Sequence, residues 1–275
     1  MMNPLKSILS KLLVPSAQEH CPGLRDRMTA DPVLVQLGRQ LLGLDAGLGI
    51  YRLVHLYEAL LKAASQGTVR TILSVGSGGG LHEAVIARLH PDAVVIGVDL
   101  RAPYVDVTLD NVRFLQGDLT DPSFVASLPS ADFIYSIECL EHITEDRAVV
   151  ASMASLVRPG GALYLQVPFA SDEELLNADF VKEQWELHEH VRPGYSEKAL
   201  REIVAANSLA AEAVSGAFWF PMQPLVWFAM ERFGVDTLRD YWPEFVTLAL
   251  TDLRDAVPSA RSQATAIKIL ATKLN

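Results

Sequence analysis

Hydrophobic positions in the first part of the chain recur with the period of an α-helix. Within residues 49–65 they form one stripe, whose members are Ile50, Leu53, Val54, Tyr57, Leu60 and Leu61. Gly67 ends this pattern. We therefore predict that residues 1–67 are helical. Because the stripe needs an apolar surface to rest on, we expect them to cover the domain that follows rather than to form a domain of their own.

Beyond Gly67 the pattern changes to short apolar runs separated by helical segments. The runs predict strands at 70–76, 93–99, 111–116, 131–137, 162–167, 209–218 and 263–271. The segments between them predict helices at 81–89, about 144–157 and 196–206, with Thr144 and Ser196 as N-caps of the last two. Pro159-Gly160-Gly161 is expected to stop the second of these helices.

Nearly continuous apolar strands that alternate with helices are typical of a parallel sheet buried on both faces. The predicted fold class is α/β, a three-layer α-β-α sandwich around a mostly parallel seven-stranded sheet. We expect this domain to span residues 68–275, with the N-terminal helical cover at 1–67. An insertion at about 219–262 would precede the last strand.

Composition narrows the class of protein. Half of the 275 residues are hydrophobic, which excludes a disordered chain. The net charge of −10 argues against a nucleic-acid partner, which a basic face would have to meet. Two cysteines, Cys21 and Cys139, are too few for a disulfide framework. With no run of 18 apolar residues, the sequence is expected to be that of a cytoplasmic protein.

A glycine-rich turn joins the first predicted strand to the helix after it. Gly76, Gly78 and Gly80 would let the backbone turn sharply and approach a ligand closely. In the dinucleotide fingerprint G-x-G-x-x-G the third glycine would fall at Leu81, so a nicotinamide-dependent oxidoreductase is disfavoured. Taken alone, such a loop also fits an ordinary turn.

Polar residues follow the next three strands in order. Asp99 ends the second strand, where an acid can accept both ribose hydroxyls of an adenosine, and Asp118 follows the third, where a carboxylate can accept from an adenine amino group. Ser136 and Glu138 end the fourth strand, at the switch point where open sheets bind ligands. Each acid alone fits a solvated loop. Their occurrence in succession favours a nucleoside ligand.

These motifs together resemble those of the class I, seven-stranded S-adenosylmethionine-dependent methyltransferases. The resemblance covers about 70–215 and the final strand. It rests on Val75-Gly76-Ser77-Gly78-Gly79-Gly80, Gly97-Val98-Asp99, Gly117-Asp118-Leu119, Ile137-Glu138-Cys139-Leu140-Glu141-His142-Ile143 and Leu156-Val157-Arg158-Pro159-Gly160-Gly161.

The resemblance implies S-adenosylmethionine as the cofactor and a set of contacts to it. Gly76, Ser77 and Gly78 would wrap its methionine end, Asp99 with Leu100 would hold the ribose, Asp118 with Leu119 the adenine, and Ser136 would form the floor near the sulfonium. The chain departs from the family at Ser74, where an acid usually precedes the first glycine by two residues. Two functions therefore stay open, a methyltransferase and a non-catalytic protein that binds the same cofactor.

The acceptor is expected to be a small molecule, with an apolar or lipid-linked body. Among the histidines, His190 is the better candidate for a general base, with His142 and His188 as others, and His142 also fits a structural role. No metal site is expected, because spacing does not reveal further ligands.

The segment from Phe218 to Met230 carries five aromatic residues and little charge. It could pack the insertion onto the core, line the acceptor pocket, or contact a membrane surface or a partner. The oligomeric state is left open.

Overall fold

The structure is a computed structural model that describes residues 20–43, 48–171, 189–219, 231–232, 234–253 and 264–274. Its first helices are α1 (Leu24–Ala30), α2 (Pro32–Gly43) and α3 (Leu48–Gln66). Asp31 separates α1 from α2 and caps the latter, since its carboxylate accepts the backbone N–H of Val33 at 2.9 Å. Helix α3 buries the predicted stripe except for Leu61, which is half-buried.

Within the described residues the sheet has eight strands. They are β1 (Thr71–Val75), β2 (Val94–Asp99), β3 (Val112–Gln116), β4 (Ala131–Ile137), β5 (Val157–Pro168), β6 (Leu209–Ala211), β7 (Ser215–Trp219) and β8 (Ala264–Lys273). Their order is β3-β2-β1-β4-β5-β8-β6, with β7 also paired to β8. Strands β1 to β5 are parallel, whereas β8 runs antiparallel to its three partners. The α/β class with a mostly parallel sheet is thus confirmed.

The prediction of seven strands was wrong by one. Residues 209–218 do not form a single strand, because the chain leaves the sheet after Ala211 and returns at Ser215. The two pieces pair with opposite ends of β8, since Leu209 lies opposite Lys273 and Ser215 opposite Lys268. They form a broken edge strand.

The remaining helices lie between the strands or precede β8. They are α4 (Leu81–Leu89), α5 (Pro122–Ser127), α6 (Asp146–Leu156), α7 (Glu197–Ala205), α8 (Val235–Leu238) and α9 (Trp242–Asp252), with 3-10 turns at Leu140–His142 and Arg239–Tyr241. Ser196 caps α7 as predicted.

Two boundaries around α6 differ from the prediction. Helix α6 starts at Asp146, so Glu145 rather than Thr144 occupies the N-cap position. Pro159-Gly160-Gly161 lies inside β5, because the helix already ends at Leu156 and the extra residues bulge out of the strand. Gly160 permits the bulge through a φ of +75°, and the pairing register with β4 shifts there.

Two apolar layers sandwich the sheet. Helices α1 to α4 and α9 pack on one face, whereas α5, α6 and α7 pack on the other. The N-terminal helices therefore share one apolar cluster with the sheet. None of the helices in the described ranges is long and apolar enough to cross a membrane.

A buried polar cluster joins α3, β8 and α9 within the first layer. The Lys268 ammonium donates to Nδ1 of His55 at 2.7 Å and to the Glu58 carboxylate at 2.9 Å. Because Nδ1 accepts this bond, Nε2 carries the proton and donates to the Asp252 carboxylate at 2.6 Å. Burial, followed by the charge of Lys268, lowers the pKa of His55, which agrees with a neutral imidazole.

Candidate functional site

The glycine loop after β1 adopts a conformation that only glycine accommodates easily. Gly76, Gly78 and Gly80 have φ values of +77°, +51° and +82°. A Cβ at Gly76 would lie 2.4 Å from the Cys139 sulfur, so the loop packs directly against the segment that follows β4. The backbone N–H groups of Gly76 and Ser77 donate to the Val98 carbonyl, which ties the loop to β2.

Asp99 faces this loop from the end of β2. Its carboxylate accepts the backbone N–H of Gly78 at 2.7 Å and that of Arg101 at 2.9 Å. Leu100 beside it is 65 % exposed, so its side chain is accessible to a ligand. The structure thus brings Gly78, Asp99 and Leu100 together at one edge of the sheet.

The predicted adenine segment lies next to Asp99. The Gly117 N–H donates to the Asp99 carbonyl at 3.0 Å. Asp118 accepts the backbone N–H and the hydroxyl of Thr120 at 2.8 and 2.7 Å, so part of its hydrogen-bonding capacity stabilises the local turn. Leu119 is buried. Ser136, also buried, is the last residue but one of β4 and lies opposite Val75, which directly precedes the glycine loop.

Glu83 is a buried carboxyl group beside Ser74 that the sequence analysis missed. It lies on α4, is 1 % exposed, and accepts the Tyr135 hydroxyl at 2.7 Å. Burial raises its pKa, although the hydroxyls of Ser74 and Tyr135 oppose the shift. The signal in the sequence is a glutamate among the apolar residues of α4, a helix that is buried nearly all round. A charged residue in such a helix indicates a special role for Glu83.

Two of the candidate histidines meet on the other side of the loop. The rings of His142 and His190 are 4.6 Å apart, nearly perpendicular, although they are distant in sequence. Nδ1 of His142 is 3.2 Å from the Glu189 carbonyl, and the Val191 N–H donates to the Glu141 carbonyl at 2.9 Å. His188 lies outside the described residues.

Arg192 holds this arrangement in place. It donates to the Ile143 carbonyl at 2.7 Å and bonds the Asp146 carboxylate. The Tyr195 hydroxyl donates to the same carboxylate at 2.8 Å. These contacts hold residues 189–195 against the start of α6 and so bring His190 next to His142.

Acidic groups concentrate where β4 ends. Glu138 adopts a φ of +48° and lies 3.6 Å from the Arg52 guanidinium of α3. Burial raises the pKa of Glu141 well above its usual range, and the nearby Glu138 adds to this. Burial also raises the pKa of Cys139 to about 12, so its thiol stays neutral and is unsuited to act as a nucleophile.

Gln166 is a further polar side chain at this edge. It is fully buried on β5, where its carbonyl accepts the Tyr164 hydroxyl at 2.8 Å. Its amide nitrogen has no hydrogen-bond partner among the described residues. A water molecule or a ligand at this edge would satisfy such a buried donor.

The aromatic segment at 218–230 is mostly outside the described residues. Only the backbone of 218–219 is described, as the end of β7. The three alternatives for this segment therefore remain predictions.

A protein-family model described as "Methyltransferase domain" matches residues 49–214. An uncharacterised methyltransferase from Mycobacterium bovis is 33 % identical over 112 residues, which cover 39 % of this chain and 55 % of that protein. Trans-aconitate 2-methyltransferase from Deinococcus radiodurans is 32 % identical over 105 residues, or 37 % of this chain and 39 % of that protein. The chain thus matches about half the length of these curated relatives or less.

Among solved structures, the plantazolicin methyltransferase BpumL, in complex with a pentazolic desmethyl analogue and SAH, is similar in fold. It has a TM-score of 0.54 and 11 % identity, with 98 % of this chain and 99 % of that chain covered. At this identity the similarity shows the fold alone. It extends over nearly the whole chain.

Proposed function

The chain belongs to the methyltransferase-domain family, and on this premise we propose that it transfers a methyl group from S-adenosylmethionine to a small-molecule acceptor. The observation that carries the proposal is the 2.7 Å hydrogen bond between Gly78 and the Asp99 carboxylate, which holds a glycine loop open beside an acid and an exposed leucine. Cofactor-bound structures in this fold, such as that of BpumL with SAH, support the choice of cofactor.

The residues at this edge fit the cofactor. Gly78 has no atom within 4 Å of the position a Cβ would take, so the loop leaves room on its outer side. Asp99 can accept two hydroxyl groups, and Leu100 offers an apolar surface to a ring. We propose that Gly76, Ser77 and Gly78 hold the methionine end, Asp99 and Leu100 the ribose side, Asp118 and Leu119 the adenine, and Ser136 the floor.

Glu83 bears on the alternative that the chain only binds the cofactor. That alternative rested on Ser74, which stands where relatives usually carry an acid. The Glu83 carboxyl lies beside Ser74 and has one buried oxygen without a hydrogen-bond partner among the described residues. We propose that Glu83 supplies the missing carboxyl group for the cofactor's ammonium, which favours an enzyme.

When bound, the cofactor supplies a methyl group on a sulfonium, and transfer forms a bond from the acceptor atom to this carbon as the carbon–sulfur bond breaks. The protein has to align the acceptor and exclude water. We propose that the acceptor approaches between Glu138 and the pair His142 and His190, which contact its reacting polar group. The polar character of trans-aconitate, the substrate of a named relative, agrees with such a site.

We propose an apolar or lipid-linked body for the acceptor, because the segment from Phe218 to Met230 is aromatic and almost uncharged. This segment would then line the acceptor side of the site. The alternatives are that this segment contacts a membrane surface or another protein.

Calorimetric titration with S-adenosylmethionine, its demethylated product and NAD tests the proposal. We expect binding of the two adenosyl compounds and none of NAD. Asp99→Ala should weaken adenosyl binding by about 1.5–3 kcal/mol, the range for hydrogen bonds to a charged group. Asp92→Ala is the matched control, since Asp92 is exposed just before β2, at the opposite end of the same strand. Binding of NAD alone, or equal affinities of the two variants, would contradict the proposal.

A further inference from the structure

We propose that Glu141, His142 and His190 bind a divalent transition-metal ion. One ligand atom from each side chain lies within 4.8 Å of the other two. Ligand atoms at about 2.0–2.2 Å from a tetrahedral ion lie roughly 3.5 Å apart. The side chains would therefore have to close by roughly 1 Å around an ion, and His142, which is 39 % exposed, has room to move.

The hydrogen bonds of His142 prepare it as a ligand. Its Nδ1 is 3.2 Å from the Glu189 carbonyl, which can only accept, so Nδ1 carries the proton. Nε2 is then left with a free lone pair, 3.9 Å from the Glu141 carboxylate. Metal-binding histidines usually have this arrangement, in which the distal N–H donates to a carbonyl or carboxylate.

Glu141 provides an independent observation. Its side chain is 1 % exposed, and Oε2 has no hydrogen-bond partner among the described residues. The two nearby guanidinium groups are directed to other acids, since Arg52 lies beside Glu138 and Arg192 bonds Asp146. A buried carboxyl group without a partner favours its neutral form, and an ion at this position would stabilise the carboxylate and use its vacant oxygen.

The ligand set indicates the class of metal. Two imidazole nitrogens and one carboxylate suit zinc, manganese or iron, whereas magnesium and calcium prefer oxygen ligands alone. Three protein ligands leave coordination positions open. Cys139, which precedes this group by two residues, packs on Gly76, so the ion would lie close to the glycine loop.

The role of the ion rests on the proposed function. An open coordination position next to the acceptor side would bind an acceptor hydroxyl or carboxylate oxygen and orient it. The histidines would then contact the acceptor through the ion rather than as free bases. This narrows the acceptor class to molecules that carry an oxygen ligand near the methylated atom.

The test measures metal binding without turnover. The full-length protein, freed of any affinity tag and stripped with a chelator, is titrated calorimetrically with zinc chloride and manganese chloride, and metal content is measured by mass spectrometry after dialysis. We expect one ion per chain. His142→Ala and His190→Ala should each weaken binding at least 10-fold, and Glu141→Gln similarly. His20→Ala is the matched control, because His20 lies outside this group and is 42 % exposed.

Circular dichroism and binding of the demethylated cofactor report whether each variant is folded. Absence of stoichiometric binding by the native protein would overturn the metal site, as would unchanged affinity in a folded double variant of both histidines. Cofactor binding without metal binding would overturn the metal site and leave the proposed function standing. Metal binding without binding of adenosyl compounds would support the site and contradict the proposed function.

Discussion

Replacing Lys268 by methionine tests whether the polar cluster anchors the N-terminal helices. Methionine keeps the unbranched apolar part of the side chain but removes both hydrogen bonds of the ammonium, to His55 and to Glu58. Glu58 and Asp252 would then be left with less compensation in a buried position. Removing one partner of a buried ion pair costs about 3–5 kcal/mol.

The pKa shifts of the two partners favour the lower end of this range. Burial by itself would raise the pKa of Glu58, but Lys268 and then Lys62 lower it to about 2. Burial also lowers the pKa of Lys268, and Glu58 does not fully offset this. The Lys268–Glu58 pair therefore contributes less to the free energy of unfolding than the pKa shift of Glu58 alone implies. We expect Lys268→Met to reduce the free energy of unfolding by about 3 kcal/mol and Tm by roughly 10 °C.

Lys62→Met is the matched control, because Lys62 contacts the same glutamate at 3.3 Å but is 52 % exposed. An exposed pair of this kind contributes about 0.5 kcal/mol or less. Urea denaturation of both variants measures the difference. Adding Glu58→Gln to Lys268→Met should restore part of the loss, since the glutamate charge that Lys268 compensates would be gone. Equal destabilisation by the two lysine variants would refute the reasoning.

Two further predictions follow from buried groups. Glu83→Gln keeps the shape of a buried side chain but removes its charge. It should therefore weaken binding of S-adenosylmethionine about 10-fold, or about 1.4 kcal/mol, with little change in the melting curve. Unchanged affinity would show that Glu83 does not contact the cofactor. The contribution of His55 to stability should be lost below pH 6.5, as the unfolded chain protonates an imidazole whose folded pKa is lowered, and that of Glu58 should be lost from pH 4.5 to about 2. Urea titrations of the native protein and of His55→Gln across pH check this, because the difference between their free energies of unfolding should shrink below pH 6.5.

The apolar pattern predicted most of the fold because burial sets it directly. Strand β4 and helix α4 have the predicted bounds, and Ser196 caps α7. The split of the edge strand could not be predicted, because it depends on pairing with β8 across a long insertion. Periodicity along a segment carries no information about which half of a distant strand it meets.

Prediction of the candidate site from the sequence has the same limit, because contacts between distant segments leave no local pattern. Its glycines and acids lie on adjacent strand ends, so their order along the chain predicted their meeting at one edge. The contact of His190 with His142 joins segments that are far apart in sequence, and that of Glu83 with Ser74 depends on how α4 packs on β1. The expectation of no metal site rests on spacing alone, and spacing does not show that His190 lies near Glu141 and His142.

Helix α3 connects the anchoring cluster with the site. Arg52 and His55 are three residues apart, which places them on neighbouring turns of one helix face. His55 is fixed by Lys268 and Asp252, whereas Arg52 reaches Glu138 at the end of β4. The same contacts that hold α3 on the sheet therefore set where Arg52 meets the acidic end of β4. If the residues that hold α3 were exposed, their side chains could change rotamer and the helix could shift. Because the cluster is buried, it fixes α3 and therefore Arg52 before any ligand binds.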